Sequence, residues 1–395
     1  MSNPGSCPNE SGEIAVTTAS NRPAPIGEEE RKGRISRLRA AMEAAGTDAV
    51  LVGPTTSLTY FTGLVWHPSE RLVGALITAD RLTYIAPAFE VSKIETLERI
   101  EGDIAAWEEH ENAAALVARL LGRQQTLALD DALPFFVYSA LARQIAPERL
   151  TDGGPMISAL RAVKSPAEIA LMQYAMDATL EVHRRVHALI EPGIRASEVV
   201  RFIEETHRAL CGSGSTFAIC SFGAATSLPH GVDYDQTYAE GDIILVDTGT
   251  IVGGYQSDMT RTYVKSEPSA EFARIWAIER EAQQAVFDAA KPGVTAETLD
   301  DAARRIIAAH GLGPDYKLPG LPHRAGHGLG MDIHEAPFIV RGNTTPLVPG
   351  MCFSNEPMIV VPDAFGVRLE DIIHMGDSGP IWFTQPGKSP TEPFA

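Results

Sequence analysis

Residues 323–335 read HRAGHGLGMDIHE, which sets His323, His327, His334 and Glu335 among three glycines. A neutral imidazole can bind a divalent metal or hydrogen-bond a substrate, and flanking glycines let neighbouring backbone come close to it. A short stretch of this kind is weak evidence by itself, so its partners must lie elsewhere in the chain. Two segments supply carboxylates. VDTGTIVGGYQSDMTRT carries Asp247 and Asp258, and FSNEPMIVVPDAFGVRLEDII carries Glu356 and Glu370. In the first, apolar runs flank Gly253-Gly254, a hairpin signal that sets Val252 against Tyr255. Asp258 then falls opposite Gly249, two residues from Asp247, so both acids share one face of the sheet. In the second, a five-residue loop from Pro362 to Gly366 sets Val361 against Val367 and Glu370 against Met358, two residues from Glu356. Four inward acids on paired strands need cations, because unpaired buried charge is costly. Two divalent ions with one imidazole, best supplied by His327, would complete an oxygen-rich site suited to Mn²⁺ or Co²⁺ and tolerant of Zn²⁺ or Fe²⁺. Two such ions roughly 3.5–4 Å apart can activate a water and polarise a carbonyl.

Several elements must position these groups. A chain of 395 residues with 44% hydrophobic content predicts two domains. Residues 1–27 are rich in Ser, Asn, Pro and Gly without apolar periodicity, which predicts a poorly ordered leader with order beginning near Glu28. From residue 28 to 160 helical patterns alternate with short apolar runs: RISRLRAAMEAAG reads as a helix stopped by Gly46, DAVLVG as a buried strand, GALITADRLTYIA as a hairpin, TLALDD as a strand, PFFVYSALARQI as a helix. That alternation predicts a smaller α/β domain. At the join, RAVKSPAEI offers Ser165 as N-cap, Pro166 in the first turn and Glu168 at the third position. The remainder, 161–395, contains an echo: EPGIRASEVVRFIEETHRAL and KPGVTAETLDDAARRIIAAHGL each place a Pro-Gly pair, at 192–193 and 292–293, ahead of an amphipathic helix. Each half continues into strands, so the fold class is α+β, with two similar halves of helix, helix and antiparallel strands.

The net charge of −18 opposes binding to nucleic acid or to anionic lipid. The four cysteines form no C-x-x-C pair, no signal-like segment opens the chain, and no run of 18 apolar residues occurs, so a cytoplasmic setting without a membrane span is expected. Cys352 reads as an inert buried thiol and TYFTG with Trp66 as packing.

Taken together, Asp247 and Asp258, His327 in GHGLG, Glu356 in NEP and Glu370 in VRLED resemble the five-ligand set of the creatinase and proline-peptidase family, whose catalytic domain is the pita-bread fold. The resemblance spans the second domain and extends to a creatinase-type amino-terminal domain. It implies two metals that activate a water to attack the carbonyl carbon of an Xaa-Pro bond, with Asp247 on one ion, His327 and Glu356 on the other, and Asp258 and Glu370 on both. Glu356 would also carry the proton from water to the leaving nitrogen. His230, His323 and His334 match the family's substrate-site histidines, with His230 and His334 stabilising oxyanion charge, and Arg368 matches an arginine near the substrate. Thr260, opposite Asp247, is expected to support the ligands from behind.

All five ligands are in place, which separates the chain from creatinase itself and from lyase or binding relatives that resemble the family with altered ligands. The expected activity is that of an Xaa-Pro dipeptidase on small peptides with proline second, the alternative being an Xaa-Pro aminopeptidase on longer peptides. A dipeptidase must hold the carboxylate after proline, a task for a guanidinium. YFTGLVWHPSERLVG resembles a creatinase segment whose arginine reaches the partner subunit's site, which implies a homodimer with Arg71 as the clamp.

Overall fold

The computed structural model describes residues 22–122 and 125–394. The first part runs α1 (Glu28–Ala45), β1 (Ala49–Val52), α2 (Thr56–Thr62), β2 (Gly74–Thr78), β3 (Leu82–Pro87), α3 (Val91–Thr96), β4 (Asp103–Trp107), α4 (Ala113–Leu121), β5 (Leu127–Leu129), α5 (Phe135–Leu141), β6 (Leu150–Asp152) and α6 (Gly154–Ala162). Its six strands order as β4-β3-β2-β1-β5-β6, with β1, β2 and β3 antiparallel and the outer pairings parallel. Gly46 ends α1 in the left-handed conformation (φ 65°), the role expected of it. Order begins before Glu28: Ile26 is buried in the core and Arg22 Nη1 donates to the Cys211 carbonyl at 3.2 Å. The expected leader is therefore shorter by these residues, and its first 21 positions lie outside the described residues.

The second part repeats itself. α7 (Pro166–Leu189) and α8 (Ala196–Cys211) lead into β7 (Ser215–Phe222), β8 (Ile244–Val252), β9 (Tyr255–Gln256) and β10 (Met259–Tyr263). α9 (Ala270–Ala289) and α10 (Ala296–Ala309) lead into β11 (Gly326–Gly328), β12 (Glu335–Ile339), β13 (Cys352–Asn355), β14 (Met358–Val361), β15 (Phe365–Arg368), β16 (Asp371–Met375) and β17 (Pro380–Trp382). The Pro-Gly echo marks the same turn twice. Gly193 (φ 97°) and Gly293 (φ 87°) both take the left-handed conformation, and their N–H groups donate to Tyr238 O (2.9 Å) and Leu347 O (2.8 Å) on the chain returning towards the strands. The halves meet where Glu370 N donates to Thr260 O at 3.1 Å and Thr262 Oγ1 to Arg368 O at 2.8 Å, which joins the edge strand β10 to the second half.

The first hairpin keeps its expected register from the turn onward: Val252 faces Tyr255 and, past a break at Ser257-Asp258, Thr260 faces Asp247. The second does not. Val361 pairs with Phe365 and Met358 with Arg368, so the loop is Pro362-Asp363-Ala364 with Asp363 left-handed (φ 59°). Gly366, which reads as a turn residue, lies inside β15 because a Cβ there would stand 2.3 Å from Thr226 O. The correction is two residues, which leaves every side chain on its original face. Continued, the register pairs Asn355 with Asp371 and sets Glu356 across from Glu370.

The junction of the two parts is a buried polar knot. Ser165 and Glu168 form the capping box, Ser165 N donating to Glu168 Oε2 at 2.8 Å, while Glu168 Oε1 accepts from Tyr255 Oη at 2.7 Å and faces Arg34 Nη2 at 3.3 Å. Arg34 also donates to Tyr60 O at 2.9 Å, so one glutamate caps a helix and fastens α1 to the second part. Glu168→Ala takes the acceptor from a buried phenol and leaves the buried Arg34 guanidinium with one carboxylate, Glu30 at 2.8 Å, in place of two. The expected cost is about 3 kcal/mol, read as a lower urea midpoint with unchanged slope; a midpoint at the wild-type value would show the knot to be incidental.

Candidate metal centre

Asp247 lies in mid-β8, Asp258 in the break between β9 and β10, His327 in β11, Glu356 just after β13, and Glu370 between β15 and β16. Each is carried in by a local device. Gly249 has no side chain, and a Cβ there would lie 1.9 Å from Ser257 O, so the chain at Ser257-Asp258 can press against β8. Ser257 holds that break closed, its N donating to Thr250 O and its Oγ accepting from Thr250 N, each at 2.9 Å. The glycines beside His327 serve the same end. A Cβ at Gly326 would meet Ser354 O at 2.1 Å and one at Gly328 would meet Ala336 O at 2.2 Å, so β11 is wedged between its neighbours with only its imidazole projecting.

His327 Nδ1 lies 3.1 Å from Gly328 O, a contact that requires the proton on Nδ1 and leaves Nε2 with its lone pair. Nε2 lies 3.2 Å from Glu356 Oε1 and 3.6 Å from Asp258 Oδ2. Burial holds the imidazole neutral, its pKa down to about 3. An unprotonated nitrogen thus faces two acceptor oxygens with no proton of its own to share, an arrangement that fits a cation between them. Asp247 tells the same story: Oδ2 accepts from Arg368 Nη2 at 2.6 Å, while buried Oδ1 has no partner among the described residues. Glu370 Oε2 accepts from Thr260 Oγ1 at 2.7 Å, and buried Oε1 likewise has none among the described residues. Ligand atoms of Asp258, His327 and Glu370 lie within 4.8 Å of one another. The residues therefore fit divalent ions: in Asp247 and Glu370 one carboxylate oxygen is tied down from behind while the other is free.

The electrostatics agree. Burial, then mutual repulsion, raises the carboxyls of Asp258 and Glu370 well above the usual carboxylate range; burial also raises Asp247 against the pull of Arg368, and pushes Glu356 up to about 7. Arg368, buried and held by Asp247, by Thr260 Oγ1 (3.0 Å) and by Pro229 O (3.2 Å), offsets one of the four charges.

These groups line a cavity of about 790 Å³, a size suited to a small ligand, with Phe217, Ile219, Ile251 and Ile333 on its apolar wall. His230 and His334 line it too, His334 with its ring edge-on to His327 at 4.1 Å between centroids. His323 is not among the residues that line the cavity; it is half-buried, its Nδ1 2.7 Å from Arg324 O and its buried Nε2 without a partner among the described residues. Arg71 is not brought to the cavity of its own chain. It is on the surface, bound to Glu109 at 2.9 and 3.0 Å and to Glu70.

Sequence reasoning missed the support of the His334 turn. Arg161 Nη2 donates to Asp332 Oδ2 and Glu335 Oε2 (2.7 Å each), Lys164 Nζ to Glu335 Oε1 (2.6 Å) and Thr56 Oγ1 to Asp332 Oδ2 (2.7 Å). The first part of the chain thus holds the loop that presents His334. No periodicity marks these residues, since the contacts span separations of 171 to 276 positions.

Comparison with known proteins places this geometry among relatives. The family model for metallopeptidase family M24 matches residues 170–377, and that for the creatinase/prolidase N-terminal domain matches residues 34–163. The probable dipeptidase PepE of Mycobacterium tuberculosis is 34% identical over 355 residues, covering 88% of this chain and 92% of that protein. The Xaa-Pro dipeptidase of Lactobacillus helveticus is 32% identical over 346 residues, covering 85% and 92%. The crystal structure of dipeptidase PepE from Mycobacterium ulcerans matches with a TM-score of 0.87 at 32% identity, covering 93% of this chain and 98% of that one.

Proposed function

The chain belongs to metallopeptidase family M24, with a creatinase/prolidase amino-terminal domain, and from that membership we propose that it hydrolyses the Xaa-Pro bond of dipeptides and releases proline. The observation that carries the reading is the unprotonated His327 Nε2 set against Glu356 and Asp258 in a cavity walled by four acids. In this reading Asp247, Asp258, His327, Glu356 and Glu370 hold two divalent ions, Mn²⁺ or Co²⁺ in preference to Zn²⁺ or Fe²⁺. When bound, the ions supply Lewis acidity at the scissile carbonyl and lower the pKa of water.

The chain's own residues do the rest. Glu356 takes a proton from the attacking water and returns it to the proline nitrogen, which must be protonated before it can leave as a secondary amine. His334, kept neutral by burial, and His230 face the cavity as N–H donors to the carbonyl oxygen as it gains charge. His323, outside the lining of the cavity, is assigned to substrate binding in this reading by the family pattern alone. The reading includes a homodimer and a cytoplasmic setting. In its favour, Cys211, Cys220 and Cys352 are buried free thiols, and no described helix is long and apolar enough to cross a membrane.

The deciding assay compares proline release from Ala-Pro with alanine release from Ala-Pro-Ala, in Mn²⁺-loaded and in chelated enzyme. Turnover of the dipeptide alone, lost on chelation, is expected. Cleavage of the tripeptide at a comparable rate would move the protein to the aminopeptidases, and metal-independent or absent turnover would move it to the lyase or binding relatives.

A further inference from the structure

The echo between the two halves continues behind the metal centre. His183 on α7 and Gln283 on α9 stand equally far ahead of their Pro-Gly pairs at 192–193 and 292–293. Both are buried, and the stripe each interrupts is apolar on either side, with Met176 and Val186 in α7 and Trp276 and Val286 in α9. Each spends its side-chain nitrogen on a carbonyl beside one of the carboxylates assigned to both ions. His183 Nε2 lies 3.0 Å from the carbonyl of Met259, next after Asp258; a carbonyl only accepts, so Nε2 carries the proton. Gln283 Nε2 donates to the carbonyl of Leu369, next before Glu370, also at 3.0 Å. The opposite flanks are held from the same helices: Thr179 Oγ1 meets Ser257 Oγ at 2.7 Å, and Gln283 Nε2 donates to Asp371 Oδ2 at 3.3 Å.

Both carbonyls lie where a strand is interrupted, Met259 at the start of β10 and Leu369 between β15 and β16. A broken ladder leaves backbone groups to be paired by other means, and a buried polar side chain costs stability unless it is used in this way. Packing against a sheet calls for neither an imidazole nor an amide here, since apolar side chains of similar volume would fill both positions. Ligand atoms of Asp258 and Glu370 lie within 4.8 Å of each other. The direction of the peptide beside each therefore decides whether the two carboxylates can serve the same ions.

We propose that His183 and Gln283 are equivalent positioning residues, one in each half, which clasp the peptides beside Asp258 and Glu370 and so keep both carboxylates aimed to be shared between two ions. This rests on the two-ion part of the proposed function. With a clasp removed, the neighbouring carboxylate can still bind one ion but no longer spans two, so the loss falls on the second ion.

The test titrates Mn²⁺ into chelated full-length wild type, His183→Leu, His183→Gln and Gln283→Met. Calorimetry reads the affinity of each ion, and electron paramagnetic resonance separates a coupled pair of ions from an isolated one. The melting temperature of each metal-free protein records the purely structural cost. His183→Leu and Gln283→Met are each expected to weaken the second Mn²⁺ by roughly 10- to 100-fold, the range for groups that orient metal ligands, and to lose the coupled signal at limiting metal. His183→Gln, which keeps an N–H donor as Gln283 does in the other half, should recover part of both. Should His183→Leu not fold, Gln283→Met carries the same test from the other helix. A lower metal-free melting temperature with both affinities and the coupled signal at wild-type values would overturn the proposal, as would an equal weakening of both ions. If wild type itself binds one ion or shows no coupled signal, the two-ion reading falls and the clasp with it; if wild type binds a coupled pair and the variants match it, only the clasp falls.

Discussion

Glu356→Gln is expected to lower kcat on Ala-Pro by about 10³-fold, within the range for removal of a positioned proton carrier. The substitution keeps the shape and the ligating oxygen but takes away the carboxylate that would accept the proton of water. Burial moves this group to about 7 in the metal-free protein; bound ions would take the place of its proton and leave a carboxylate able to accept one from water. Its Oε1 is also 3.2 Å from His327 Nε2, so the variant must be checked for metal. A metal-to-protein ratio equal to wild type, with kcat down a thousandfold and KM within a few-fold, would assign the loss to proton transfer. A kcat within tenfold of wild type at full metal content would remove Glu356 from that role.

Metal removal is expected to do more than stop turnover. In the metal-free protein the carboxyls of Asp247, Asp258, Glu356 and Glu370 titrate above their unfolded values. The native state therefore binds their protons more tightly than the unfolded state does, and stability falls as pH rises. For Glu356 that contribution is fully present below the ordinary carboxylate range, about 4.5, and is lost as pH rises through about 7. Such a shift corresponds to about 3 kcal/mol from this one group. Metal-free enzyme should thus melt lower at pH 8 than at pH 5. Mn²⁺ should restore the melting temperature most at the higher pH, because the ions take the place of the protons. A metal-induced rise in melting temperature that stays flat between pH 5 and pH 8 would show that the four acids are not paired with the bound ions. Activity should follow the same titration, lost on chelation and returned by Mn²⁺.

Much of the site was legible because strands have a period of two. Asp247 and Asp258 could be set on one face from the Gly253-Gly254 turn alone, and the structure keeps that register through Thr260. The second hairpin was misread by two residues, since Gly366 serves a close approach to Thr226 and no turn; the acids nevertheless stayed on the right face, because an even slip preserves side-chain direction. Ser165, Pro166 and Glu168 announced the helix at the join through chemistry confined to one turn, and the repeated Pro-Gly pairs announced the two halves.

What the sequence could not disclose is what each of those groups meets. Glu168 reads as a cap, and the fold makes it the fastener of Arg34 and Tyr255 as well. Arg161, Lys164 and Thr56 read as residues near a boundary, and the fold turns them onto Asp332 and Glu335 to steady the loop of His334. Arg71, expected to act from a second copy, stands on the surface of its own chain paired with Glu109. The sequence by itself determined the ligand types, the halves and the faces, since periodicity and turn chemistry act within a few residues. The tertiary structure decided which lone pair faces which oxygen and which cation meets which anion. Those depend on packing between segments 100 or more positions apart, such as Arg368 with Asp247, and local pattern carries no record of it.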